Sequence, residues 1–124
     1  MNLREKTQIY FEKIYPGVQQ LRKEHHLSLA SITVVEILGK RNARDKDSGL
    51  TIDQITYAQN KTFERKNIDR SAHDLAKKGY VEKEKVKRPP RKRGVAPYAH
   101  FLTSTGRELY DELVMCFVTS EKDD

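Results

Sequence analysis

The sequence has few of the residues that build disulfide frameworks, and it has no apolar run long enough to cross a membrane. It contains one cysteine, Cys116, and no tryptophan among 124 residues. One cysteine excludes an intramolecular disulfide and suits a reducing compartment. A spanning helix needs roughly 20 apolar residues in a row, and no apolar signal core follows Met1 to Lys6. We therefore expect a cytoplasmic protein that does not enter a membrane.

Patterns typical of enzymes and metal sites are also missing. The four histidines lack metal-ligand spacing, and the sequence has no paired-acid motif, glycine-rich phosphate loop or nucleophile motif. Cys116 falls on an apolar helical stripe, where we expect a packing residue rather than a redox sensor. We therefore predict that the protein is not an enzyme and holds neither a metal nor a cofactor.

Positive charge is abundant and is concentrated in one segment. The chain carries 24 Lys and Arg against 18 Asp and Glu, a net charge of +6. Residues 61–93 contain thirteen of these bases and five of the acids, so this segment carries +8 and the rest of the chain −2. A basic surface suits a phosphate-backbone binder, because each Lys or Arg that contacts a phosphate releases a condensed counterion. A charge run can also be a solvated face, so the elements that carry the charge decide between the two.

Hydrophobic periodicity predicts helices in the first half of the chain. Apolar residues at helical spacing predict two pieces over 3–14 and 16–26, and Pro16 opens the second because it has no N–H to donate. Ser28 is a plausible N-cap for the core helix that follows, although the β-branched residues of that stretch also allow a strand. Residues 39–49 are polar and lack a period, which predicts a loop.

The next segment predicts two helices joined by a turn. Thr51 caps a short helix, the turn covers 59–62, and a longer basic helix runs from about Phe63 to Lys78. Gly79 suits the left-handed position that commonly ends a helix.

The last part of the chain predicts a hairpin and a final helix. Alternating residues indicate strands over 80–86 and 98–102, joined by the proline-rich basic loop 87–96. Thr103 or Thr105 caps the final helix, and the stretch that begins at Thr105 fits a capping box.

This order of elements is that of a winged helix-turn-helix, a mainly α fold with a small β-hairpin. We expect a single domain over 1–124, in which 28–103 form the winged-helix core. Residues 1–26 and 104–118 are assigned to dimerisation helices, and 119–124 to an acidic tail. In such a domain the second motif helix enters the major groove, and the hairpin reaches the flanking backbone or minor groove.

Four local patterns resemble the MarR family of winged-helix regulators, including its small Sar-type members. They are, in chain order, Leu27-Ser28-x-x-Ser31-Ile32-x-Val34-Val35-x-x-Leu38, Leu50-Thr51-x-x-x-Ile55, Leu75-Ala76-Lys77-Lys78-Gly79-Tyr80-Val81 and Leu102-Thr103-x-x-Gly106-x-x-Leu109. Together they cover about residues 27–110. The resemblance implies a homodimer that binds a pseudo-palindromic operator in double-stranded DNA, often with release by a small-molecule effector or an oxidant.

The sequence departs from the family pattern in two places. The wing of the family usually carries an Asp-x-Arg motif, whereas the loop from Lys87 to Gly94 contains no acid. The turn before the recognition helix, Tyr57 to Phe63, is a residue or two longer than usual. The identity of any effector does not follow from the sequence.

The candidate DNA-binding residues divide between the recognition helix and the wing. Arg can bond guanine O6 and N7, and Asn can bond adenine N6 and N7, each with roughly 1–3 kcal/mol of discrimination. On the helix, base reading is assigned to Arg65, Lys66, Asn67 and Arg70. Phosphate contact, which positions the protein without reading sequence, is assigned to Lys61 and Thr62. On the wing, where arginines suit a narrow and electronegative minor groove, the candidates are Lys87, Arg88, Arg91, Lys92 and Arg93.

The terminal helices carry more apolar residues than a winged-helix core needs. The residues assigned to dimerisation are Tyr10, Ile14, Leu109, Leu113 and Phe117. We predict a dimeric transcriptional repressor that acts by occluding its operator. The alternatives are a plasmid- or phage-type partition or replication factor with the same fold, a nucleic-acid enzyme such as a nuclease, and a winged helix that contacts only proteins, against which the +8 segment argues.

Overall fold

The computed structural model describes residues 2–9, 12, 14–59, 62–86 and 97–122, without the side chains of 6, 7, 9 and 118–122. The helices are α1 (Leu3–Ile9), α2 (Tyr15–His25), α3 (Leu29–Lys40), α4 (Ile52–Ala58), α5 (Arg65–Lys77) and α6 (Ser104–Lys122). The strands are β1 (Val81–Lys85) and β2 (Tyr98–Leu102). The predicted mainly α fold with a small hairpin is confirmed. Among the described helices, none has both the length and the apolar character of a membrane span.

The second helix begins at Tyr15, one residue before the Pro16 that was predicted to open it. Pro16 occupies the first turn of α2, where its missing N–H interrupts no helical hydrogen bond. The predicted first helix is described as α1 as far as Ile9, and residues 10, 11 and 13 lie outside the described residues. α2 ends at His25, and its C-cap, His26, has a left-handed φ of 53° and donates its backbone N–H to the Arg22 carbonyl. A left-handed residue thus closes the helix although it is not a glycine.

The stretch with the ambiguous pattern is the helix α3, so the strand alternative is wrong. Ser28 is its N-cap, as predicted, and accepts a hydrogen bond from the Ser31 backbone N–H at 3.1 Å. α3 runs through Gly39 to Lys40, which corrects the predicted start of the loop. A Cβ at Gly39 would overlap the Tyr110 ring of α6, so glycine lets these two helices approach closely.

α4 and α5 form the helix-turn-helix. Thr51 caps α4 as predicted, in a capping box in which the Thr51 backbone N–H donates to the Gln54 side chain at 2.9 Å. α5 begins at Arg65 rather than at Phe63. The apolar face predicted for α5 is at most 1% exposed and consists of Ile68, Ala72 and Leu75. Its burial turns the charged faces of α5 outward.

β1 and β2 pair antiparallel, in a register that places Lys83 opposite His100. Their bounds lie within one residue of the predicted strands. Leu50 adds a short third segment beside β2, because its N–H and C=O bond to the His100 backbone at 2.9 and 2.7 Å. The hairpin is therefore attached to the chain that enters α4.

α6 begins against the chain that follows the end of α5. Thr103 is its cap, since its Oγ1 accepts a hydrogen bond from the Gly106 N–H at 3.1 Å. The predicted capping box at Thr105 is wrong, because Thr105 already lies inside α6. A Cβ at Gly106 would overlap the backbone oxygen of Tyr80, so only glycine permits this contact between α6 and the chain that follows α5.

One hydrophobic cluster joins α3, α5, α6 and the hairpin. Its most buried side chains include Val34, Leu38, Ile55, Ile68, Leu75, Leu109 and Leu113. Leu109 and Leu113, which the sequence assigns to dimerisation, are 1% and 2% exposed within this single chain. Because α6 packs this stripe into the core of its own protomer, these two side chains have no surface left for a partner, and that part of the assignment is corrected.

Cys116 lies where α6 meets α2. A Cβ at Gly17 would be 3.0 Å from its Sγ, and the thiol lies 3.5 Å from the Glu112 carbonyl oxygen. Burial raises the pKa of the Cys116 thiol, which disfavours the thiolate that redox sensing needs. This is the packing position that the sequence predicts.

Candidate nucleic-acid interface

The outward face of α5, near its start, carries the predicted base-reading residues. Because the apolar stripe of α5 is buried, the residues between its members turn away from the core. Arg65, Lys66 and Arg70 are exposed, and Asn67 is half-buried. The three cations are therefore accessible to a partner, while Asn67 is less so.

Two acids contact this surface. Arg65 Nε donates to Oδ1 of Asp53, in α4, at 2.5 Å. Lys66 Nζ lies 3.5 Å from Oε2 of Glu64, just before α5. The hydrogen bond that Arg65 donates to Asp53, together with the negative charge of Asp53, raises the pKa of Arg65, so the guanidinium stays charged. Exposed pairs of this kind stabilise a fold by about 0–1 kcal/mol, and their main effect is on side-chain orientation.

A cleft of about 400 Å³ separates α5 from the hairpin. Its lining residues are Lys66, Asp69, Arg70, His73, Lys83 and His100. Three permanent cations against one carboxylate give the cleft a positive charge. Lys83 Nζ also lies 5.0 Å from the centre of the Tyr98 ring, a cation–π contact within the hairpin. The hairpin thus extends the basic surface of α5.

His100 is the buried member of this lining, at 4% exposure. Its Nδ1 lies 3.1 Å from the Leu50 carbonyl oxygen, which can only accept a hydrogen bond, so Nδ1 is the protonated nitrogen of the neutral ring. Burial lowers the pKa of His100 below its usual 6.5. The ring is therefore neutral at pH 7 and adds no charge to the cleft. Among the described residues, no group of three His, Cys, Asp or Glu side chains could hold a metal ion.

Gln59 shapes the turn that leads into α5. Its Nε2 donates to the Phe63 carbonyl at 2.6 Å, and the Phe63 N–H donates to its Oε1 at 2.7 Å. Gln59 is 9% exposed, so these bonds lie largely away from water. With both of its backbone groups bonded to Gln59, Phe63 is kept out of the helical ladder, which is why α5 begins at Arg65.

Thr62, one of the two residues predicted to contact phosphate, belongs to the same turn. Thr62 is exposed, and its hydroxyl donates to the Gln59 carbonyl at 2.7 Å. In this conformation the hydroxyl supports the turn, and its contact with phosphate stays a prediction. Lys61 lies outside the described residues.

The wing candidates also lie outside the described residues. They are Lys87, Arg88, Arg91, Lys92 and Arg93. The hairpin arms are described as far as Val86 and Pro97, where the Val86 N–H donates to the Pro97 carbonyl at 2.9 Å. Pro97 lines a cleft of about 340 Å³ together with Arg65. The described end of the hairpin at Pro97 therefore lies near the first residue of α5.

The predicted dimerisation residues are placed unevenly. Tyr10 lies outside the described residues, while Ile14 and Phe117 are half-buried and pack against the core cluster. Met115 of α6 is 58% exposed and Leu3 of α1 is 80% exposed. Exposed apolar side chains are thus present on the described parts of the terminal helices, at Leu3 and Met115, which the sequence analysis did not single out.

This arrangement of helices and hairpin matches solved structures of regulators. The S. aureus MepR–DNA complex superposes with a TM-score of 0.69 and 14% identity, over 95% of this chain and 86% of MepR. A MarR family transcriptional regulator from Silicibacter pomeroyi superposes with a TM-score of 0.69 and 20% identity, over 94% of this chain and 69% of that one. This chain has a MarR-like fold. The resemblance drawn from the sequence motifs is confirmed at the level of the fold.

A further match extends the MarR-like comparison to a small-molecule complex. S. aureus MepR bound to ethidium bromide superposes with a TM-score of 0.64 and 14% identity, over 98% of this chain and 79% of MepR. No family model matches the sequence, and no curated protein resembles it at a significant level.

The sequence analysis missed two residues, Asp53 and Gln59, that contact Arg65 or the turn before α5. Asp53 is twelve positions from Arg65, and Gln59 acts through the backbone of Phe63. The only local signal for Asp53 was an acid in the first turn of α4, which helix capping also explains. For Gln59, no local pattern in the sequence distinguishes a buried side chain that bonds to the backbone of the turn from an exposed turn residue.

Proposed function

We propose that this protein is a transcriptional regulator that binds double-stranded DNA as a homodimer, with α5 in the major groove. The observation that carries the proposal is the basic surface that α5 and the hairpin share across one cleft. It occurs in a fold also seen in a MepR–DNA complex. In winged helix-turn-helix proteins a helix placed in this way reaches base edges, and the hairpin contacts the flanking DNA. The dimer would act as a repressor by covering its operator.

Selection of bound duplexes from a random pool tests this proposal. We expect an enriched motif with two inverted half-sites, because each protomer of a symmetric dimer presents one α5. Alanine at Arg65, Lys66, Asn67 or Arg70 should lower the preference for that motif over random DNA, by about fivefold or more for a bidentate contact. Lys61→Ala should weaken binding to both DNAs equally, since phosphate contacts carry no sequence information. A pool without an enriched motif would contradict the proposal.

The repressor role has its own test. Transcription in vitro from a promoter that overlaps the selected motif should fall as the protein is added. A promoter with the motif scrambled is the control, and stimulation of the intact promoter would exclude repression by occlusion.

The dimer is tested through the exposed apolar surface of the terminal helices. Sedimentation at tens of micromolar should show a dimer, and Met115→Glu should shift it towards monomer, because burial of a new charge opposes association. Tyr57→Glu is a matched control, since Tyr57 is 81% exposed on α4. A monomeric wild type would contradict the dimer. Leu113→Asp is unsuitable because this core position would unfold the protomer.

The wing is tested by the salt dependence of binding. If the basic loop reaches DNA, log K falls against log salt by ~0.9 for each phosphate that it neutralises. Replacing Arg88, Arg91, Lys92 and Arg93 with alanine should flatten that slope by several units per dimer. Anisotropy titrations from low to moderate salt measure it, and an unchanged slope would show that α5 alone holds the DNA.

The cavity between α3 and α6 is smaller than a usual small-molecule effector site. The cavity between α3 and α6 measures about 100 Å³ and is lined by Glu36, Lys40, Tyr110, Leu113, Val114 and Phe117. Small-molecule sites usually span about 300–1,000 Å³. A drug-sized effector bound here would have to separate the two helices, and so would change the position of α6.

A further inference from the structure

The contact between Asp53 and Arg65 joins the two helices of the helix-turn-helix motif. Asp53 lies in the first turn of α4, and Arg65 is the first residue of α5. Arg65 Nε donates to Asp53 Oδ1 at 2.5 Å, a short, charge-assisted hydrogen bond. The side chains remain 62% and 76% exposed, respectively. The pair is therefore part of the surface that would face DNA.

As an acid in the first turn of α4, Asp53 contributes only modestly to stability. Exposed ion pairs contribute little to folding, because water screens them and the side chains lose freedom. A carboxylate on a DNA-facing surface also repels phosphate. Asp53 thus weakens the general attraction to DNA, and its benefit is expected elsewhere.

The atoms that join Arg65 to Asp53 indicate how Asp53 could favour DNA reading. A guanidinium has five N–H donors in a rigid planar fork. The bond to Asp53 uses Nε, so the two terminal nitrogens, Nη1 and Nη2, are at the far end of the fork. Two parallel hydrogen bonds from those nitrogens are the end-on arrangement that matches O6 and N7 of guanine. An arginine held in one orientation also loses less freedom when it binds.

We propose that Asp53 is a positioning residue that orients the Arg65 guanidinium to read guanine end-on. The proposal rests on the proposed DNA-binding function of α5. It assigns to Asp53 a role in sequence preference that opposes its effect on general affinity. Removal of its charge should therefore change the two properties in opposite directions.

The test compares Asp53→Asn with Glu64→Gln, each of which removes one exposed acid beside α5. Glu64 is a matched control because it lies 3.5 Å from Lys66 and does not hold Arg65. Affinities for the selected motif and for a random duplex are measured by anisotropy at two salt concentrations. Asp53→Asn should raise affinity for random DNA and lower the ratio of motif to random affinity by about fivefold, part of the discrimination of one bidentate contact. Glu64→Gln should raise both affinities and leave their ratio unchanged.

A double-mutant cycle separates positioning from charge. In an Arg65→Ala background, Asp53→Asn should still raise the affinity for random DNA and should no longer change the ratio. Motifs selected with Asp53→Asn should lose their preference for guanine at one position in each half-site. Circular dichroism and a melting curve confirm that each variant is folded, and Asp53→Ser serves in place of Asp53→Asn if that variant is not.

The inference and the function beneath it fail in different ways. If neither Asp53→Asn nor Glu64→Gln changes the ratio of motif to random affinity, the proposed role of Asp53 is wrong. The role of Asp53 would also be overturned if Arg65→Ala left the ratio of motif to random affinity unchanged while Arg70→Ala lowered it. In that case α5 would still be the helix that reads DNA. If the wild type prefers no sequence, the proposed function itself is wrong.

Discussion

The two ends of α5 are held by contacts of different kinds. At the start, the Arg65 side chain bonds to an exposed carboxylate, and buried Gln59 holds the turn that precedes it. At the end, Lys78 Nζ donates to the His26 carbonyl at 2.7 Å, and Thr103 Oγ1 donates to the Gly79 carbonyl at 2.6 Å. The start of α5 is thus supported from within the helix-turn-helix, and its end is supported by α2 and the chain entering α6.

A group of three hydrogen-bonded side chains, His25, Tyr80 and Glu112, further supports the C-terminal end of α5. His25 of α2 lies with Nδ1 2.9 Å from the Tyr80 hydroxyl and with Nε2 3.2 Å from Glu112 Oε2, in α6. The His25 and Tyr80 rings meet edge to face, with centroids 5.8 Å apart. Three elements meet at this point, so the direction of α5 follows the terminal helices. If α5 reads DNA as proposed, side-chain orientation at its start would set which bases it contacts, whereas the contacts at its end would set its direction.

The largest effect is expected at the end of α5, from Gly106→Ala. The added Cβ would overlap the Tyr80 backbone oxygen, which cannot move as a flexible side chain would. We expect a loss of about 3 kcal/mol in the free energy of unfolding, as for an overpacked core position. Urea denaturation measures it.

Gly79→Ala is the control for this prediction. Gly79 has a φ of +85° but no atom within 4 Å of an added Cβ. Its replacement should cost only about 1 kcal/mol, from left-handed backbone strain. If Gly106→Ala costs no more than Gly79→Ala, the packing of α6 on Tyr80 is looser than described.

The next effect is expected at the start of α5, from Gln59→Ala. The Phe63 N–H and C=O each lose a partner, which costs about 2 kcal/mol in stability when such groups stay shielded from water. The preference for the selected motif should also fall, because the turn that places Arg65 is released.

Gln54→Ala is a suitable comparison for Gln59→Ala. Gln54 lies in α4 and supports only the capping box, through its bond to the Thr51 N–H. The Gln54→Ala variant should be less stable than the wild type and should keep the wild-type preference for the selected motif. Equal losses of preference in the two variants would show that Gln59 has no special effect on reading.

Local chemistry in the sequence predicted most of the fold. Ser28 and Thr51 cap their helices, and Pro16 lies in the first turn of α2. Gly79 takes the left-handed conformation just after α5. These effects were predictable because each depends only on residues nearby in the sequence. The winged helix-turn-helix order follows from those elements.

Features that depend on distant partners were not predictable in the same way. The apolar stripe of α6 shows that Leu109 and Leu113 are buried, but periodicity does not say by which protomer. The Asp53–Arg65 pair joins two helices across a turn whose path depends on Gln59. Such contacts are visible only once the helices have been placed against each other.

A smaller effect is expected from Tyr80→Phe, which removes the hydroxyl bonded to His25. One hydrogen bond of this kind contributes about 1 kcal/mol to stability. If the bond fixes α5 relative to the terminal helices, the variant should lose more affinity for a duplex with both half-sites than for a duplex with one. Tyr57→Phe, at an 81% exposed position, is the control. Equal losses on the two duplexes would show that the bond does not set the direction of α5.

The smallest effect is expected from His100, which lies in the cleft beside the start of α5. Burial lowers the pKa of His100 in the folded protein. The hydrogen bond with the Leu50 carbonyl opposes this lowering in part, and the charge of Lys83 adds to it. The unfolded chain takes up this proton near pH 6.5. The unfolded state therefore binds more protons between the folded pKa and about pH 6.5, so this contribution to stability is complete above that range and is lost as the pH falls through it. His100→Gln should make stability less dependent on pH there. Urea denaturation at pH 7.5 and pH 5.5 compares the two proteins, in which the other titrating groups cancel. The same pH dependence in wild type and His100→Gln would mean that the cleft beside α5 is open to water, and that the start of the helix is held less firmly than the buried imidazole indicates.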